Sequence, residues 1–185
     1  MNIPNFLTLL RIILVPLLVI FLINKLFLKA LILFACLGLT DALDGFLARI
    51  LKQQTALGAY LDPIADKVLI TTCFLALAIL KVIPGWLAVV VISRDVIILL
   101  GIAILSIMNI TFKVEPLFVS KVTTALQIAA VFFALFFKAF PLLAVDSIWL
   151  LLLYWSTAVF TVLSGYRYVV KGVKVINAPE SRTEA

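Results

Sequence analysis

No histidine occurs in the 185 residues, which removes imidazole as a general base and with it most zinc sites. The two cysteines, Cys36 and Cys73, lie alone in separate apolar segments. They read as packing residues, not as a disulfide or a ligand pair. Charge is scarce as well: 13% of residues are charged, 65% are hydrophobic, and the mean hydropathy is +1.29. A soluble domain carries about a quarter charged residues, and one small core cannot hide this much apolar surface from water. Glycine and proline, at 7 each, are outnumbered by 14 phenylalanines. No strand-like alternation, fixed-period repeat or low-complexity linker interrupts the chain. A β-barrel and a second domain are thereby set aside, leaving one membrane domain over 1–176 and a polar tail over 177–185. No basic stretch precedes the first apolar run and no small-residue cleavage site follows it, so 1–10 does not read as a signal peptide.

What is present is apolar helix. A hydrocarbon core of about 30 Å needs about 20 apolar residues to cross it, and helices pair every backbone group within one segment. Six segments qualify, at 7–23, 30–50, 58–80, 83–110, 117–137 and 148–170. The expected fold is an all-α integral membrane protein with six transmembrane helices. Asn2, Pro4, Asn5 and Thr8 suggest a short N-terminal interfacial helix before the first span, and Pro16 a kink within it. Nine cations (Arg11, Arg49, Lys52, Lys113, Lys121, Arg167, Lys171, Lys174, Arg182) fall on one side and four (Lys25, Lys29, Lys81, Lys138) on the other. The positive-inside rule then puts both termini in the cytoplasm. A net charge of +6 suits an anionic leaflet and calls for no nucleic-acid partner.

Four of the nine acidic residues fall in one stretch, at Asp41, Asp44, Asp62 and Asp66. On helices, Asp41 and Asp44 share a face, as do Asp62 and Asp66. The polar turn at 52–55 brings both pairs toward the cytoplasmic end. An ionised Asp inside a span costs a few kcal/mol, and four together repel one another. Two divalent cations answer both problems, and an all-carboxylate set favours Mg²⁺ or Mn²⁺. Gly45, Ala48 and Gly58 let a ligand or a second backbone approach closely, while Arg49 offers a bidentate fork to phosphate. Together they describe a site for a diphosphate-bearing nucleotide, opening at the cytoplasmic side. Taken singly, each residue has a plainer explanation in capping or helix packing; the joint pattern does not.

The stretch DALDGFLAR, eight residues, then GAYLDPIAD resembles the signature of the CDP-alcohol phosphatidyltransferases, D-x-x-D-G-x-x-A-R-x8-G-x-x-x-D-x-x-x-D, at every fixed position. The resemblance implies that Asp41, Asp44, Asp62 and Asp66 hold two metals on the diphosphate of CDP-diacylglycerol. It implies that Gly45, Ala48, Arg49 and Gly58 accommodate its cytidine diphosphate, with Asn5 and Thr8 of NIPNFLTLLR also on the CDP-lipid. Asp66 matches the proposed general base, which takes a proton from the acceptor hydroxyl as CMP leaves. The same N-terminal segment resembles members acting on glycerol-type acceptors. ISRDVIIL, EPLFVSKVTTALQ, DSIW and SGYRY lean toward cardiolipin synthases of the eukaryotic type, which use phosphatidylglycerol. Phosphatidylglycerophosphate synthases, which use glycerol 3-phosphate, carry a second lysine where this chain has Thr123. A pocket for the less charged acceptor needs fewer cations.

Arg94 requires a partner inside a membrane. Asp95, one residue on, points elsewhere around a helix, so a phosphate of the acceptor is the expected partner. Lys121, Lys67 and Arg167 complete the candidate acceptor pocket. The resemblance further implies a homodimer among membrane lipids, and the missing Arg- and Ser-rich leader favours a bacterial cytoplasmic (inner) membrane over a mitochondrial inner membrane. A divalent-cation channel explains the aspartates but leaves Gly45, Arg49 and Gly58 without a purpose, and a membrane scaffold needs none of them.

Overall fold

Residues that face inward recur at alternating steps of three and four. On the first helix they are Thr8, Arg11, Val15, Leu18 and Leu22; on the last, Tyr154, Thr157, Thr161 and Ser164, with Ala158 beside them. That is the period of a helix with one buried stripe. The computed structural model describes the backbone of 3–50, 56–107, 118–143 and 147–177, and the side chains of 8–40, 64–104, 107, 118–142 and 148–174. Six α-helices result: α1 (Ile3–Ile23), α2 (Phe27–Ile50), α3 (Ala56–Ile79), α4 (Gly85–Ile107), α5 (Phe118–Ala139) and α6 (Ser147–Asn177), with a 3₁₀ turn at Pro141–Leu143.

The expected separate N-terminal helix is not formed, because α1 runs unbroken from Ile3. Pro4 falls in its first turn, where a missing N–H costs nothing. Pro16 also lies within this helix. α6 reaches Asn177, the first residue of the tail expected over 177–185; 178–185 lie outside the described residues, as does the polar turn expected at 52–55.

Neighbouring helices close a ring in the order α1, α2, α5, α6, α4, α3, with α3 also touching α5 across the middle. Phe34, Phe74, Leu77, Leu87, Val91, Val131 and Leu135 fill the interior. The outward faces are apolar too, at Ile13, Ile20, Ile32, Val89, Leu99 and Val162, a surface suited to lipid and costly in water. Gly85–Ile104, Phe118–Ala139 and Ile148–Lys174 are long and apolar enough to cross a membrane; Thr8–Ile23 and Phe27–Thr40 are shorter apolar stretches.

Hydroxyls stitch α5 to α6 where lipid-like packing alone would be weak. Thr123 donates to its own helix at the Val119 carbonyl (2.8 Å) and is also within 3.0 Å of the Phe160 carbonyl. Gln127 reaches the Thr161 hydroxyl at 3.4 Å. Ala130, Ala134 and Ala158, all buried, let the backbones come close.

Two hairpins end alike. The Lys25 N–H donates to the Leu22 carbonyl and the Leu26 N–H to that of Phe21, with Lys25 at φ 56°. Lys81 repeats this after α3, at φ 56°, with Lys81 bonded to Ala78 and Val82 to Leu77. This is the left-handed cap that glycine ordinarily supplies.

Candidate active site

The last turns of α2 carry Asp41, Asp44, Gly45, Ala48 and Arg49, and the first half of α3 carries Gly58, Asp62 and Asp66. The three- and four-residue separations are therefore helical separations, as the sequence suggests. Side chains at Asn5, Asp41, Asp44, Ala48, Arg49 and Asp62 lie outside the described residues, and Gly45 and Gly58 are described in backbone only. Thr8 is buried on the inner stripe of α1.

Asp66 has a neighbour that sequence reading did not give it. Arg11 Nη1 donates to Asp66 Oδ1 at 2.5 Å; the arginine is 1% exposed and the aspartate side chain 41%. The charge distribution alone places Arg11 with the cytoplasmic surface cations. Its place in the stripe Thr8, Arg11, Val15, Leu18 is the signal that puts it inside, and a buried guanidinium demands an acid.

One residue on, a second charged cluster ties four helices together. Lys67 of α3 and Arg94 of α4 both donate to Asp95 Oδ1, the arginine at 2.7 Å. Arg94 Nη2 also donates to Ser120 of α5 and Ser164 of α6, each at 2.8 Å. The guanidinium carbon stands 5.9 Å from the ring centre of Tyr168. Asp95 therefore does not point away from Arg94 as the sequence suggests; it accepts one of its hydrogen bonds. Adjacent helical residues do diverge at Cβ, but an arginine is long enough to fold back, and Asp95 is buried beside two cations.

Of the remaining acceptor candidates, Lys67 belongs to this cluster with its side chain 40% exposed. Lys121 and Arg167 are exposed and make no bond to the cluster. Ser120 and Ser164 are members that residue-by-residue reading misses, and Asp95 one that it turns away.

Beside Asp66 lies a cavity of about 720 Å³. Arg11 and Asp66 line it together with Phe34, Leu69, Ile128 and Phe132 of α2, α3 and α5. Charge thus stands in a hollow that is otherwise apolar, as an amphipathic ligand requires. Among the described residues no group of three potential metal ligands occurs, Asp66 being the one member of the four whose side chain is described.

Residues 1–164 match the family described as CDP-alcohol phosphatidyltransferase. The chain is 37% identical over 191 residues to the cardiolipin synthase (CMP-forming) of Rattus norvegicus, covering 95% of this chain and 63% of that protein. The Homo sapiens protein of the same name gives the same figures. A CDP-diacylglycerol–glycerol-3-phosphate 3-phosphatidyltransferase from Bacillus subtilis is 31% identical over 185 residues, covering 92% of this chain and 94% of that one. The chain spans 63% of the length of the two animal proteins it resembles.

Proposed function

This chain belongs to the CDP-alcohol phosphatidyltransferase family, and from that premise we propose that it transfers a phosphatidyl group from CDP-diacylglycerol to a glycerol-type hydroxyl in phospholipid synthesis. The observation that carries the reading is the pairing of a half-exposed Asp66 with buried Arg11 beside an apolar cavity of about 720 Å³. Acyl chains suit the cavity and the diphosphate suits the charged residues.

Asp66 accepts the proton of the acceptor hydroxyl as its oxygen attacks the lipid-side phosphorus and CMP departs. Arg11 holds that carboxylate in one orientation. A set of four carboxylates on α2 and α3 fits two hard cations, Mg²⁺ or Mn²⁺, which when bound would polarise phosphate and offset charge on the leaving group. Gly45, Ala48, Arg49, Gly58, Asn5 and Thr8 are assigned to the CDP-lipid. Arg94 acts as a brace, its terminal nitrogens occupied by Asp95, Ser120 and Ser164. Lys67, half-exposed beside Asp66, is then the cation best disposed toward the acceptor, with Lys121 and Arg167 in outer positions.

The preferred acceptor is phosphatidylglycerol, giving cardiolipin. Thr123 supports it: the residue is buried and its hydroxyl lies against backbone carbonyls, so the pocket gains no cation there for a doubly charged glycerol 3-phosphate. The same reading takes all six helices as spans of one domain, cytoplasmic termini, a homodimer and a bacterial inner membrane. The test is CMP release and product mass with CDP-diacylglycerol and Mg²⁺ or Mn²⁺, offering phosphatidylglycerol and glycerol 3-phosphate separately. Cardiolipin from the first alone supports the assignment; product from the second alone overturns the acceptor and keeps the mechanism. Asp66→Asn is expected to lower transfer by about 10²–10⁴-fold while CDP-lipid binding persists. Turnover like that of the unchanged protein would remove Asp66 as the base.

A further inference from the structure

At the end of the bundle away from the aspartates, the α1–α2 hairpin and the last turn of α5 enclose a recess of about 310 Å³ lined by Lys25, Lys29 and Lys138 with Leu26, Phe27, Leu28 and Ala139. None of the three lysines makes an ion pair among the described residues. Asp146 lies outside the described residues.

Two of these cations are held against local preference. Lys25 occupies a left-handed backbone position at φ 56°, where glycine avoids a penalty of about 1–2 kcal/mol. Lys29 sits in the first turn of α2, where the helix dipole disfavours positive charge by about 0.3–1 kcal/mol. Lys138, in the last turn of α5, is the one placed where the dipole welcomes it. Three ammonium groups round one hollow also repel one another. A single anion seated among them offsets the repulsion and the dipole together.

The surroundings indicate which anion. From the recess an exposed apolar line runs along α2 through Leu28, Ile32 and Cys36, at the spacing of one helix face. We propose that this recess binds the anionic phosphodiester headgroup of a membrane phospholipid, whose acyl chains lie along that line. The site is separate from the proposed active site and does not depend on it.

The test uses the full chain in neutral detergent and counts bound lipid by native mass spectrometry. Phosphatidylserine serves as the probe because its headgroup is a net-anionic phosphodiester and it is not a proposed substrate; phosphatidylcholine, whose phosphodiester is balanced by its own choline cation, and inorganic phosphate are compared. Phosphatidylserine is expected to bind at least tenfold more tightly than phosphatidylcholine. Substituting Lys25, Lys29 and Lys138 together by Gln should remove that preference, whereas Lys81→Gln, at the same end but outside the recess, should keep it. Lys29→Gln alone, which relieves the dipole conflict and spares the fold, should weaken phosphatidylserine at least threefold. Equal binding of the two lipids, or an undiminished preference in the lysine variants, overturns the proposal. Inorganic phosphate competing as well as the lipid overturns the headgroup assignment in favour of a free-anion site.

Discussion

Arg11 and Asp66 share a hydrogen bond although 55 residues separate them in the chain, and no local pattern announces such a pair. The aspartate was legible because its spacing within a long motif is specific. The arginine was not, because a cation near the start of an apolar run reads equally well as a surface charge. Its burial follows from where α1 meets α3, which only the assembled bundle fixes. Breaking a fully buried pair costs about 3–5 kcal/mol. Asp66 is 41% exposed and can turn to water, so Arg11→Ala should cost less in stability than that range, with turnover falling at least tenfold. Arg11→Lys should recover part of both. Thermal unfolding in detergent beside CMP release checks the pair. Arg94 teaches a similar lesson: helix geometry correctly separates the Cβ atoms of residues 94 and 95, yet side-chain length and the demand for a counter-charge override it.

Among the helices, hydropathy located all six and set most ends within a few residues. Its largest error is at α6, which continues to Asn177 where a span to 170 was drawn. Hydropathy reports the solvent a residue prefers, whereas Arg167, Lys171 and Lys174 leave the apolar run without leaving the helix, since basic residues are good helix formers. The contact between α4 and α6 was not legible at all. It is tight at Gly165, where an added Cβ would stand 3.3 Å from Arg94 Cγ. Arg94 cannot readily retreat, because Asp95, Ser120 and Ser164 hold its far end. Gly165→Ala therefore sets a helix-propensity gain of up to about 1 kcal/mol against overpacking of about 1–3 kcal/mol. A net loss of stability is expected, read as a lower midpoint of thermal unfolding; an unchanged or higher midpoint would show that the arginine yields.

For the whole molecule, the cavity beside Asp66 is the feature that composition could not reveal. Apolar residues were plentiful everywhere, and only the ring order shows that α2, α3 and α5 leave room between them. Ala129 lines this space, so Ala129→Trp should raise the KM for long-chain CDP-diacylglycerol about tenfold or more, the scale of losing one or two kcal/mol of binding. Short-chain analogues should be spared; an equal rise for both would remove the cavity as the acyl site. The bond between α1 and α3 also has a consequence in time. At about 5–20 residues per second, the 55 residues between Arg11 and Asp66 take roughly 3–11 s to synthesise. For that interval α1 carries its guanidinium without this acid, and an ionised group in apolar surroundings without its counter-charge is costly. A helix made early is thus not an early one to settle: α1 takes its final place only when α3 arrives.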